Sequence, residues 1–314
     1  MIHLMSIDDL SKIQISEIFN LSKELKNMKK NGIEHEYLKG KTLGMIFEKS
    51  STRTRVSFEV GMHQLGGNAL FLSSSDIQLG RGETIQDTAR VLSRYLDGIM
   101  IRTFSHDKVL TLAKSASIPI INGLSDLHHP CQALADIFTL IETGRELLNL
   151  KLAFVGDGNN VAHSLLQLCA ILGIDISIAT PEKYKCDETI IKQAIALTHS
   201  SGSRIMITNS PEEAVENADA VYTDTWISMG EESNKAQKIA DFKGFTITDK
   251  LMSLAKYNAV FMHCLPAYRG YEVSSEVIDG PQSVIFDQAE NRLHVQKALL
   301  TLLMSEKGEY SWNN

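Results

Sequence analysis

Cysteine is scarce in this chain of 314 residues: Cys131, Cys169, Cys186 and Cys264 are all there is, with no CxxC pair. Four thiols so spread build no disulfide framework, and they read as reduced thiols of a cytoplasmic protein. An excess of positive charge is also absent. Lys and Arg number 31 against 38 Asp and Glu, a net charge of −7, which weighs against general binding to nucleic acid or an anionic membrane. Any cationic site must therefore be local. No apolar run approaches the ~18 residues that would span a bilayer. The first residues, MIHLMSIDDL, lack a basic segment followed by a long apolar core, so no signal peptide is expected. There is no internal repeat and no low-complexity tract. With 43% hydrophobic and 22% charged residues the composition is that of an ordinary globular protein, and at ~100–200 residues per domain the length suggests two domains.

Short β-like runs alternate with helical patterns. Strands are expected at 42–47, 98–102 and 118–122, and helices at 53–65, 84–96, 106–116 and 130–143, the last opening on Pro130, which suits a first helical turn. A second series has strands at 151–155, 176–180, 204–208, 219–223, 258–263 and 283–286. Helices are expected at 159–172, 187–199 and 211–217, and a long final one from 288 to about 305. The expected fold class is α/β: two doubly wound domains, each with a central parallel sheet flanked by helices. The series breaks at 143–150, which suggests domains at 1–148 and 149–287.

In such sheets ligands bind beyond the carboxyl ends of the strands, and polar residues gather there. After 42–47 comes SSTRTR (50–55), where a helix start with Ser51, Thr52, Arg53 and Thr54 could bind an anion. Arg102 ends an apolar strand, a place packing does not explain. His129, Pro130, Cys131 and Gln132 follow the next strand; the histidine could donate to a carbonyl oxygen or simply cap the helix. GDGNN (156–160) approaches a nucleotide loop, but Val161 stands where the third glycine of Gly-x-Gly-x-x-Gly belongs, although Glu182 lies near the place of a ribose-binding acid. Asn160 at that helix start could instead face a polar ligand. Asp224, ending a strand, could hold an ammonium group or be solvated.

The stretches SSTRTR (50–55), DIQLGRGETIQDTARVLSRY (76–95), HHPCQALAD (128–136), GDGNN (156–160), DTWISMG (224–230), HCLPA (263–267) and AENR (289–292), in this order, resemble the aspartate/ornithine carbamoyltransferase family. The first and third mark the whole family, and DTWISMG and HCLPA its ornithine branch. The resemblance implies carbamoyl transfer from carbamoyl phosphate to L-ornithine, giving citrulline and phosphate in arginine metabolism, with no metal and no cofactor. It implies phosphate contacts from Ser51, Thr52, Arg53, Thr54 and Arg102, with Gln78 supplied by a neighbouring subunit of a homotrimer. Arg102, His129 and Thr54 would polarise the carbamoyl carbonyl. Gln132 and the carbonyls of Cys264 and Leu265 would hold the carbamoyl amide, with Pro130, Cys131 and Arg292 completing that pocket. Asn160, Asp224, Ser228 and Met229 would hold ornithine. The first domain would carry the phosphate site, with the last helix, 288–314, packing back on it, and the second the amino acid. Arg102, His129, Cys264 and Arg292 are the expected catalytic groups; Cys264 would assist deprotonation of the amine as a thiolate or act only in packing. One departure is Gly82, preceded by Arg81, where some members carry a basic residue.

Other readings from the residues are a carbamoyltransferase for putrescine or N-acetylornithine, a dinucleotide-dependent oxidoreductase, and a non-catalytic phosphate- or DNA-binding module. Asp224 and the SMG sequence favour ornithine among acceptors, and the net charge disfavours DNA.

Overall fold

A computed structural model describes residues 2–75, 77, 82–227, 235–305 and 312. By its contacts the chain divides into two compact units, residues 1–134 with 290–314, and residues 135–289.

The first unit begins with α1 (Lys12–Lys30), whose start is fixed by a reciprocal capping box between Ser11 and Gln14. There follow β1 (Thr42–Phe47), α2 (Thr52–Gln64), β2 (Asn68–Ser73), α3 (Ile85–Leu92), β3 (Gly98–Arg102), α4 (His106–Ser115), β4 (Ile120–Leu124) and α5 (Pro130–Glu142). The strands pair in parallel in the order β2-β1-β3-β4. β1, β3 and β4 are buried apolar runs, as strands covered on both faces must be. Ile46, Ile99, Ile101, Val109, Leu112 and Ile120 pack as one cluster beneath α3 and α4.

The second unit contains β5 (Lys151–Val155), α6 (Asn160–Leu172), β6 (Asp175–Ala179), α7 (Glu188–Ser201), β7 (Ile205–Thr208), α8 (Pro211–Val215), β8 (Ala220–Thr223), α9 (Lys235–Asp241), α10 (Asp249–Met252), β9 (Val260–His263) and α11 (Ser275–Ile278). Its sheet, also parallel, runs β7-β6-β5-β8-β9. Val155, Val221, Trp226, Phe242 and Phe261 belong to one buried apolar cluster. The last helix, α12 (Ile285–Met304), starts in this unit. From Glu290 it belongs to the first, where it runs past Gly61 of α2: a methyl there would meet Lys297 at 3.4 Å, an ordinary contact.

The α/β class with two parallel sheets is as expected; three details differ. The run 283–286 is not a strand. Ser283 makes one isolated bridge to Phe261, and Val284 then accepts from Gln288 N at 2.9 Å as the helix begins. Three apolar residues after a serine cannot distinguish a strand from a helix start. β4 lies two residues later than 118–122, because Pro119 has no N–H to give a ladder; only its carbonyl takes part, accepting from Ile99 N at 2.9 Å. α1, β2 and the short helices α9, α10 and α11 had no counterpart in the sequence expectation. β2 is an edge strand exposed on both faces, so it shows no buried run.

Candidate active site

In the first sheet β1 is followed by β2 on one side, while β3 lies on the other. This reversal opens a crevice at the carboxyl ends of β1 and β3, the place of Ser51–Thr54 and of Arg102. Ser51 is the N-cap of α2, its hydroxyl accepting from Thr54 N at 3.2 Å. The N–H groups of the first turn, which a helix cannot pair internally, point out of this end. Arg53 is half-buried and Thr52 exposed.

Thr54, fully buried, is the hub. Its Oγ1 accepts from Ser51 Oγ at 3.1 Å, Arg102 Nη1 at 3.4 Å and Arg292 Nη2 at 3.1 Å. Arg102 Nε donates to Lys49 O at 3.2 Å, and Arg292 Nη1 to Gln132 Oε1 at 2.8 Å. Two buried guanidinium groups from β3 and α12 are thus oriented by neutral oxygens of Lys49 in the β1–α2 connection, Thr54 in α2 and Gln132 in α5. Such an arrangement retains its charge for an anion.

His129 is buried beside them. Burial first, then the charges of Arg292, Arg102 and Lys49, push its imidazole well below the ordinary 6.5. At neutral pH it is an uncharged ring with one N–H to donate. The loop before it is fixed by Ser125, whose N donates to His128 O at 2.9 Å and whose hydroxyl accepts from His128 N at 3.2 Å. Because the folded value lies below the unfolded one, folding binds fewer protons between the two. The stability contribution is complete above about pH 6.5 and is lost as the pH falls from there toward the folded value. His129→Gln is therefore expected to show a smaller loss of unfolding free energy between pH 7 and pH 5 than the parent chain, measured in urea. An equal loss would contradict this.

Pro130 opens α5. Cys131 points its sulfur at Asn122 O, 3.6 Å away, and complete burial pushes the thiol up to about 12. It is a packing thiol, so what it can offer a ligand comes from its backbone. Gln78, Ser228 and Met229 lie outside the described residues, as does Arg81.

The second sheet reverses in the same way between β5 and β8, and here GDGNN and Asp224 emerge. Asn159 caps α6, its Oδ1 accepting from Val161 N and Ala162 N at 3.0 and 3.2 Å. Its Nδ2 donates to Asp224 Oδ2 at 2.8 Å. Asp224 Oδ1 accepts from Thr225 N at 2.7 Å and from Cys264 Sγ at 3.0 Å. Asn160, the first residue of α6, is half-buried beside them. Gly158 has a local reason: a methyl there would sit 2.2 Å from Cys186 N. The second glycine thus serves close packing against 184–186, to which it is tied by Gly158 N donating to Tyr184 O at 2.8 Å.

Cys264 follows β9. Burial first, then the Asp224 charge that its S–H faces, push the thiol well above its ordinary value. Without substrate it is a protonated donor rather than the thiolate considered from sequence; an ammonium group beside Asp224 acts in the opposite sense. Leu265 has φ +57°, a costly region for a branched side chain. It is held there by its N donating to His263 Nδ1 at 2.8 Å, while His263 Nε2 meets the buried Glu272 at 3.3 Å. Asp224, His263 and Cys264 place three potential metal-ligand atoms within 4.8 Å of one another, but these hydrogen bonds already engage both ring nitrogens of His263.

Sequence reasoning singled out Asn160 and missed Asn159, which makes the contact with Asp224. It also missed Gln296, four residues beyond Arg292 and so on the same face of α12, a spacing that was available to find it.

Residues 2–142 match the model of the aspartate/ornithine carbamoyltransferase carbamoyl-P binding domain, and residues 148–303 that of the Asp/Orn binding domain. The ornithine carbamoyltransferase of Caldicellulosiruptor saccharolyticus is 54% identical over 96% of this chain and 98% of that protein. That of Bacillus subtilis is 54% identical over 99% of this chain and 96% of its own length. Among solved structures, ornithine carbamoyltransferase from Pyrococcus furiosus aligns with a TM-score of 0.95 at 51% identity, covering 98% of each chain. The anabolic enzyme of Campylobacter jejuni aligns at 0.92 and 45% identity, covering 98% of this chain and 100% of that one. Likeness of this extent, in sequence and in fold, means that the chain belongs to the aspartate/ornithine carbamoyltransferase family.

Proposed function

We propose that the chain transfers the carbamoyl group of carbamoyl phosphate to the δ-amine of L-ornithine, giving L-citrulline and phosphate. The observation that carries this reading is the pair of switch-point sites with opposite character. One unit gathers Arg102, Arg292 and a neutral His129 around a capped helix start. The other presents Asp224, fixed by Asn159 and Cys264. A doubly charged acyl phosphate suits the first, and an amino acid's ammonium the second.

Residues 1–148, with the C-terminal helix, are the carbamoyl phosphate domain in this reading, and 149–287 the ornithine domain; the family matches, which meet between 142 and 148, support the break there, and the grouping of 290–314 with the first unit supports the place of the helix. Ser51, Thr52, Arg53, Thr54 and Arg102 hold phosphate, joined by Gln78 of a neighbouring copy. Arg102, His129 and Thr54 draw charge toward the carbonyl oxygen, while Gln132, Arg292 and the carbonyls of Cys264 and Leu265 orient the carbamoyl amide. Asn160, Asp224, Ser228 and Met229 receive ornithine. The neutral δ-nitrogen attacks the carbamoyl carbon and a C–N bond forms. The C–O bond to phosphate breaks, its electron pair leaves with phosphate, and the nitrogen gives up a proton. Donors already in place where charge grows lower the barrier, commonly by ~3 kcal/mol each. Cys264, whose S–H faces Asp224, takes the amine's proton only as a thiolate, which requires the ornithine ammonium beside Asp224 to bring the raised thiol back down; otherwise the proton leaves with phosphate.

A homotrimer is part of the same proposal. It is supported by the exposed apolar residues Val56, Leu70 and Phe71 on α2 and the edge strand β2, with Arg55 stacked 3.9 Å over Phe71. An edge strand of this kind requires cover. Light scattering should give three copies or a multiple. Among the described residues no helix is long and apolar enough to cross a membrane, and all four cysteines are free, which supports a cytoplasmic setting. The purified protein, given carbamoyl phosphate and ornithine, should form citrulline; no citrulline at millimolar substrates would defeat the proposal.

A further inference from the structure

Arg292 is held by one more group, which lies outside the set of residues assigned above. Gln296 sits one helical turn further along α12 and is fully buried. A guanidinium can only donate, so the Gln296 amide faces it with its oxygen. That oxygen accepts from Arg292 Nε at 3.2 Å and Nη2 at 3.1 Å, and the amide nitrogen then reaches Ser57 Oγ at 2.5 Å. Ser57 donates in turn to Thr54 O at 3.3 Å. The amide therefore fixes the plane of the guanidinium and ties α12 to α2, the helix whose first turn carries Thr54.

The choice of glutamine has a chemical consequence. Glutamate has the same reach and would make a stronger fork to arginine, so orientation alone would be served at least as well by a carboxylate. A carboxylate would also cancel the charge of Arg292 inside a buried site, where opposite charges act on each other strongly. We propose that Gln296 is a positioning residue that orients Arg292 for the carbamoyl group while leaving the anion site its full positive charge. The inference rests on the carbamoyl phosphate reading above and names a determinant of that site.

Two substitutions separate charge from orientation. In Gln296→Glu the Ser57 hydroxyl can turn to donate, so every polar group stays paired and the fold is retained. The KM for carbamoyl phosphate is expected to rise about tenfold or more, with Tm at or above that of the parent chain and the ornithine KM within about twofold. Gln296→Met keeps the charge and loses the fork. Here kcat should fall about tenfold, with a smaller change in carbamoyl phosphate KM than in Gln296→Glu. A purely structural role makes the opposite forecast, with glutamate tolerated best. Calorimetric titration with inorganic phosphate gives a readout independent of turnover, and binding should weaken in Gln296→Glu. If the parent chain forms no citrulline, the carbamoyl phosphate reading fails, while the phosphate titration still tests Gln296. With an active parent, a carbamoyl phosphate KM in Gln296→Glu equal to the parent's, phosphate binding unaltered in that variant, or an unchanged kcat in Gln296→Met would each overturn the inference.

Discussion

Arg102→Met is expected to lower kcat/KM for carbamoyl phosphate by ~100-fold or more, a loss of ~2.7 kcal/mol of transition-state stabilisation, while the chain still unfolds cooperatively. Arg102 ends β3 at the switch point of the first sheet and is buried. Its orientation is set by Lys49 O and Thr54 Oγ1, so its charge is already in place when a substrate arrives. Such a donor is worth most where charge grows during reaction. The fold should suffer less than the reaction does, because a cation is removed from a cluster that also holds Arg292 and Lys49 and whose charges depress His129. This provides a second readout: the His129 imidazole should titrate at higher pH in Arg102→Met, followed by NMR. Near-parental turnover in a folded variant would remove Arg102 from the site.

Asp224→Asn should raise the KM for ornithine by ~10- to 100-fold and leave binding of carbamoyl phosphate nearly unchanged. Both carboxylate oxygens are acceptors here, one from Asn159 Nδ2 and the other from Cys264 Sγ and Thr225 N. An amide loses the charge that pairs with the α-ammonium, worth ~1.5–3 kcal/mol in a partly dry site. It also turns an NH2 group toward one of these donors, so the local network breaks as well. With the charge gone, the Cys264 thiol should ionise more readily, since Asp224 is among the causes that hold it up. Faster alkylation of Cys264 at fixed pH would report that directly. An unchanged ornithine KM would leave only the carbamoyl phosphate half of the assignment standing.

The alternation of elements was legible because buried parallel strands are short apolar runs, as TLGMIF and KLAFV are. The location of the polar residues was legible for the same reason: SSTRTR, Arg102, GDGNN and Asp224 all follow such runs. What could not be read was which strands become neighbours. The placement of β3 beside β1 and of β8 beside β5 makes two of these strand ends the switch points, and pairing depends on packing between distant segments. Side-chain direction was hidden too. Asn159 and Asn160 are equivalent in a string of letters, yet only the N-cap geometry turns Asn159 toward Asp224. The family resemblance named Arg292; its orientation by Gln132, Thr54 and Gln296 depends on three helices meeting, which no local pattern encodes.

The most direct measurement is a competition between acceptors. The purified protein is given carbamoyl phosphate labelled in the carbamoyl carbon, with equal concentrations of L-ornithine, putrescine, N-acetyl-L-ornithine and L-aspartate, and the products are separated. A fixed carboxylate at Asp224 requires an acceptor with a free α-ammonium, and transfer to a δ-amine requires the length of ornithine. Label is expected almost entirely in citrulline. Label carried mainly by carbamoylputrescine, acetylcitrulline or carbamoylaspartate would contradict the assignment of Asp224 and of ornithine as the substrate.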